Sequence, residues 1–199
     1  MKLFVIRFAV ICGIAPGALQ NESLAQSAPA ATRVAAWTPG TTAPPIRGVL
    51  SDGSPIGPDP GAIFPAALAN MHVLLVFWSM HDTGDIGLIG SLKDVRRTFG
   101  KGRFQIVSMC VDDDWEAWIK FMDRQGATEY GGRTVRFSND NVWWQLIQAG
   151  SGVDCAADFH VTKTPMAFLI QPNGRFFAVN IPGEKLRGTI AKALDWDGK

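Results

Sequence analysis

Six successive apolar residues, Val73-Leu74-Leu75-Val76-Phe77-Trp78, run directly into the polar heptad Ser79-Met80-His81-Asp82-Thr83-Gly84-Asp85. No other stretch constrains the fold as strongly. An apolar run of this length, rich in valine and aromatics, predicts a parallel strand buried on both faces. Beyond the heptad, Ile86, Leu88, Ile89, Leu92, Val95 and Phe99 recur at helical spacing. The heptad is therefore a strand-to-helix turn, with a helix N-terminus at its end. In open α/β sheets chemistry is commonly built at that corner. This one carries carboxylates, hydroxyls and an imidazole, and no thiol.

The 199 residues carry a formal net charge of +1, and 47% are apolar. That suffices for one domain with a sizeable core and offers no basic excess for nucleic acid. The first residues read as an export signal. Lys2 and Arg7 make a positive start, and 8–19 is mostly apolar but too short to span a bilayer. Ser23-Leu24-Ala25 puts small residues at a cleavage site. Cleavage near Ala25 predicts an extracytoplasmic protein, periplasmic or secreted, with no stable membrane span afterwards. A retained anchor is the rival reading. Removing 1–25 takes away Lys2, Arg7 and Glu22 and leaves the chain near neutrality.

Residues 26–45, rich in Pro, Ala and Thr, predict a flexible linker. Residues 46–50 and Pro55-Ile56 predict a short hairpin turning at Asp52-Gly53. Ala66 to Asn70 suits one helical turn. A second apolar strand spans 104–109. Asp112-Asp113-Asp114 then precede Trp115, Trp118, Ile119 and Met122, the pattern of a capped amphipathic helix rather than a metal loop. A third strand is expected at 134–137. Asn139-Asp140 is expected to cap a helix carrying Val142, Trp143, Leu146 and Ile147. A strand over 166–170, a turn at Pro172-Asn173-Gly174 and a returning strand over 175–180 follow. A last helix begins at Pro182, with Leu186, Ile190 and Leu194 inside.

Two cysteines survive removal of the leader, Cys110 and Cys155. In an exported protein an even pair invites a disulfide; two small buried thiols is the other reading.

This element order and several local motifs resemble the thioredoxin-like superfamily, in particular its TlpA-like, redoxin (AhpC-TSA) branch. Val76-Phe77-Trp78-Ser79 resembles the family's strand leading into the active site. Met109-Cys110-Val111-Asp112 with Trp115-Glu116-Ala117-Trp118 resembles the strand and helix that follow. Thr164-Pro165-Met166-Ala167-Phe168-Leu169-Ile170 resembles the segment with a cis-proline facing that site. The resemblance implies an α/β thioredoxin-like fold over 46–199, a central mixed sheet flanked by helices with an N-terminal β-hairpin.

The resemblance also exposes a departure. Where the family reads Trp-Cys-x-x-Cys, this chain reads His81-Asp82-Thr83-Gly84-Asp85. Both thiols are replaced by carboxylates, which can neither attack nor resolve a disulfide. The implied function is an exported domain without the catalytic dithiol: a binding or scaffold protein, not an enzyme, that needs no cofactor. Its partner would be a protein or peptide in the groove near Asp82 and Pro165. The alternative is a thiol-disulfide oxidoreductase using Cys110 and Cys155. At a helix start, Asp82 or Asp85 also suits a plain cap, worth about 0.5–2 kcal/mol. A metal site formed by His81, Asp82 and Asp85, with Met80 or His160, matches no standard spacing. His160, like His72, reads as structural or surface. Asp82-Thr83-Gly84 spells the aspartic-protease triplet, but that enzyme needs two such aspartates and the chain has one.

Overall fold

The computed structural model describes residues 36–58, 62, 64–100, 103–123, 128–130, 133–135, 143–148, 152 and 154–196. These belong to one unit, Val34–Lys199. The expected signal segment lies outside the described residues. The apolar run becomes β3 (His72–Trp78), central in a seven-stranded sheet. On one side it pairs in parallel with β4 (Phe104–Cys110), register Trp78↔Cys110. On the other it pairs antiparallel with β8 (Met166–Ile170), which turns at 172–174 into antiparallel β9 (Phe176–Ala178). The N-terminal hairpin forms from β1 (Gly48–Val49) and β2 (Pro55–Ile56). Gly53, at φ +83°, supplies the left-handed residue its turn requires.

Alternation along the strands sorts the core into two layers. Leu74, Val76 and Trp78 of β3 join Ile106 and Cys110 of β4 and Ala167 and Leu169 of β8 on one face. There they meet α1 (Thr83–Phe99), α2 (Trp115–Asp123) and α4 (Leu186–Ala193) through Ile86, Ile89, Leu92, Trp118, Leu186 and Ile190. Val73, Leu75 and Phe77 line the other face with Val107, Met109 and Phe168. That face is covered by α3 (Cys155–Asp158), Leu68 of a single turn at Ala66–Leu68, and an aromatic cluster. In the cluster Phe77 and Phe159 stand 5.4 Å apart, and Phe168 and Phe176 5.5 Å.

Two expectations are overturned. The helix expected around 142–147 is strand β7 (Trp143–Ile147), parallel to β4 and bordered on its far side by β1. Gln145, Leu146 and Ile147 are all buried, so an interior strand shows a near-continuous apolar run with no period to betray it. Asn139, Asp140 and Val142 lie outside the described residues. The strand expected at 134–137 is displaced too: β6 (Arg133–Val135) pairs with β5 (Thr128–Tyr130) in a separate two-stranded ribbon. The third parallel strand is therefore β7.

A flexible linker is expected over 26–45. Its described part, from residue 36, is docked against the sheet edge. Gly40 N donates to Phe176 O (2.7 Å), Phe176 N to Thr41 O (2.9 Å) and Ala43 N to Gly174 O (2.9 Å). Trp37 stacks on His160, with centroids 4.8 Å apart and planes 10° from parallel. Ala43 and Ile46 are buried. Small residues and prolines made this segment look solvated. In the fold they let the backbone lie flat along β9 and cap an edge that would otherwise stay unpaired. Among the described residues, no helix is long and apolar enough to cross a membrane.

Candidate functional site

The corner after β3 is built by three aspartates with different tasks. Asp82 is the N-cap of α1, in extended backbone at φ −106°, ψ 118°. Its Oδ1 accepts from Gly84 N at 2.7 Å and Asp85 N at 3.1 Å, while Ile86 N donates to its carbonyl. This is the capping role expected from sequence, and it leaves the residue exposed.

Asp85 behaves otherwise. It is buried, at 0% exposure. Its carboxylate turns away from the amides of its own helix and reaches back to the turn, where Oδ2 accepts from Ser79 N at 2.8 Å. Oδ1 completes no hydrogen bond. The Thr164 hydroxyl, beside the cis Thr164–Pro165 bond, favours the ionised carboxyl. Burial pushes the Asp85 pKa above the ordinary carboxylate value. Thr164 and Ser79 oppose the shift, and the charges of Asp82 and Asp112 add to it.

The sequence reading missed Asp112. Its spacing groups it with the helix-capping aspartates, but Asp114 is the one that caps α2, accepting from Ala117 N at 2.8 Å. Asp112 crosses to the neighbouring turn. Its Oδ1 accepts from Ser79 Oγ (2.8 Å), and its Oδ2 from Met80 N (2.7 Å) and Cys110 Sγ (3.2 Å). Ser79 Oγ in turn accepts from His81 N at 3.1 Å. The signal was present but conditional. Once β3 and β4 are adjacent with Trp78 opposite Cys110, the residues just past both strand ends must meet.

The two cysteines do not come together. Both thiols are free and buried, Cys110 on the α1 face of the sheet and Cys155 on the opposite face. A disulfide between them is therefore not formed; the sheet stands between the sulfurs. Burial, reinforced by the charge of Asp112, drives the Cys110 thiol far above its usual range. Burial pushes Cys155 up to about 11. Neither supplies a thiolate near neutral pH, the form that disulfide exchange requires.

His81 is exposed beside Asp82. His160 is engaged with Trp37 instead of joining it. His72 sits at the other end of β3, where burial lowers its pKa. Among the described residues, no three His, Cys, Asp or Glu side chains converge as a metal site would need.

Asp85 leads to a pH-dependent prediction. Its folded pKa lies above the unfolded value, so the folded state holds the proton more tightly. The stability it contributes is complete below the unfolded carboxylate pKa and is lost as pH rises through the raised folded one. Asp85→Asn keeps an acceptor for Ser79 N and presents an amide to Thr164. The variant is expected to be more stable than wild type near neutrality, with the gap closing in acid. Urea unfolding at about pH 4 and about pH 7 checks this; a gap that does not change with pH contradicts it.

A comparison with protein-family models finds no match, and neither does one with curated sequences. Solved structures do match. The chain is similar to the thioredoxin domain of a thiol-disulfide oxidoreductase from Bacteroides vulgatus (TM-score 0.60, 19% identity, covering 79% of this chain and 98% of that one). It is similar to a thiol-disulfide oxidoreductase from Bacteroides fragilis (0.58, 21%, 76% and 98%). A thiol:disulfide interchange protein from a Bacteroides species also matches (0.60, 20%, 80% and 91%). With a mixed sheet carrying β3, α1 and the Thr164–Pro165 loop around one corner, the chain has the thioredoxin-like fold of these thiol-disulfide oxidoreductases.

Proposed function

We propose that this chain is an extracytoplasmic thioredoxin-like domain that has given up dithiol chemistry and acts as a binding or scaffold protein. One observation carries the reading. The two turn positions that resemble the family's cysteines hold Asp82 and Asp85, and both carboxylates are committed to backbone amides. What remains exposed at the corner is His81, Asp82, Thr83, Gly84 and Pro165. This surface would receive an extended segment of a protein partner, between the helix start and the Thr164-Pro165 loop. The leader pattern in 1–25 supports export.

Insulin reduction in the presence of dithiothreitol tests the reading. The purified protein and its Cys110→Ser/Cys155→Ser variant are both expected to show only the background rate. Turnover in the wild type that the double variant lacks would sink the proposal in favour of chemistry through those thiols.

A further inference from the structure

A cavity of about 520 Å³ lies at the end of the sheet opposite the aspartate corner. His72 and Trp78 occupy the two ends of β3, so the cavity is about 20 Å from the corner at the rise of a strand. Its walls mix apolar side chains, Trp196 and Leu194 among them, with His72, Thr98, Arg103 and Asp195. Phe99 meets Trp196 at 5.0 Å with planes 72° apart, and Phe104 at 6.1 Å and 65°. The segment bearing Trp196 is held by its backbone N–H donating to Ala191 O at 3.0 Å. Arg103 and Asp195 line the same cavity, both exposed. They are not ion-paired with each other, nor has either an ion-pair partner among the described residues. Asp195 also faces His72 and favours its charged form.

Two unlike charges at one cavity, neither ion-paired among the described residues, describe a complementary ligand. We propose that this cavity binds a small aromatic zwitterion of the amino-acid class. Its carboxylate pairs with Arg103, its ammonium with Asp195, and its ring lies against the half-buried Trp196, which Phe99 backs from the core. Guanidinium and carboxylate match as planar, two-pronged partners. The volume falls in the range that holds one small molecule. A ligand with one charge satisfies one side only and leaves the other charge beside an apolar body.

Isothermal titration of the purified protein with L-phenylalanine, phenethylamine and 3-phenylpropionate tests the site. Saturable binding of L-phenylalanine is expected, tighter than either single-charge analogue. Arg103→Gln and Asp195→Asn are each expected to weaken it by about tenfold or more. Asp195 sits at φ +47°, a conformation asparagine tolerates, and Arg103 is exposed, so both variants should keep the wild-type melting profile. No saturable binding of L-phenylalanine at millimolar concentration overturns the proposal. So does unchanged affinity in either variant, or an analogue that binds as well as L-phenylalanine.

Discussion

Asp112→Ala is expected to lower the unfolding free energy by about 2–4 kcal/mol. For a domain of this size that is a fall in Tm of about 5–15 °C. The carboxylate is half-buried and accepts three hydrogen bonds, from Ser79 Oγ, Met80 N and Cys110 Sγ. Hydrogen bonds to a charged group contribute about 1.5–3 kcal/mol each in the better cases. They share one side chain and partial solvent access, so the three do not add in full. Truncation leaves the Met80 amide without its acceptor and frees the turn that presents His81 and Asp82. Asp112→Asn should fall between, because one carboxylate oxygen becomes a donor aimed at donors. Asp113→Ala is the control: Asp113 is exposed, and its loss should stay within about 0.5 kcal/mol. Urea unfolding of the three variants reads the effect. An Asp112→Ala protein no less stable than Asp113→Ala would show that the link between the two strand ends is incidental.

The second large effect is a gain of activity. Asp82→Cys combined with Asp85→Cys is expected to produce insulin reduction well above the wild-type background. The Gly84 and Asp85 amides now held by the Asp82 carboxylate would stabilise a thiolate at position 82, as helix N-termini do. A thiol at 85 would lie on the same side of α1, buried as the carboxylate is, and would resolve the mixed disulfide. Each single cysteine variant lacks one half of that cycle. Asp82→Cys alone should form a mixed disulfide and stop; Asp85→Cys alone should react slowly if at all. The double variant loses an N-cap worth about 1 kcal/mol and is relieved of a buried carboxylate. A folded double variant in which both new thiols are counted after denaturation, and which still gave no turnover, would count against matching these positions to the family's dithiol. The two results also separate. Asp112 tests whether the corner is held in shape, and the cysteine pair tests what chemistry that shape supports.

Much of this corner was legible before any coordinates. The run from 73 to 78 had to be an interior strand because nothing else buries six consecutive large side chains. A carboxylate cap at Asp82 or Asp85 followed from their place before an apolar stripe of helical period. The turn at 172–174 and the last helix carried similarly local signals. These readings depend on neighbours in sequence, and their physics is complete within a few residues.

The remainder depends on which distant segments pack together. The strand Trp143–Ile147 lies between β4 and β1 with Gln145, Leu146 and Ile147 buried, and burial on both faces erases the period that separates strand from helix. Trp37 and Ala43 are ordered because β9 offers an open edge and His160 a ring to stack on. Cys110 and Cys155 stand apart because Cys110 points from β4 to the α1 face while α3, which carries Cys155, packs on the opposite face. Asp112 became a brace between two turns when β3 and β4 aligned their ends. Asp85 shows the division most sharply. Its spacing placed it in the first turn of α1 as a second capping carboxylate. In the assembled fold its carboxylate is instead buried and faces inward to the Ser79 amide. Capping is set by the backbone's own unsatisfied amides and so is written locally. Burial of a charge is set by what lies above it, and that is a property of the assembled fold.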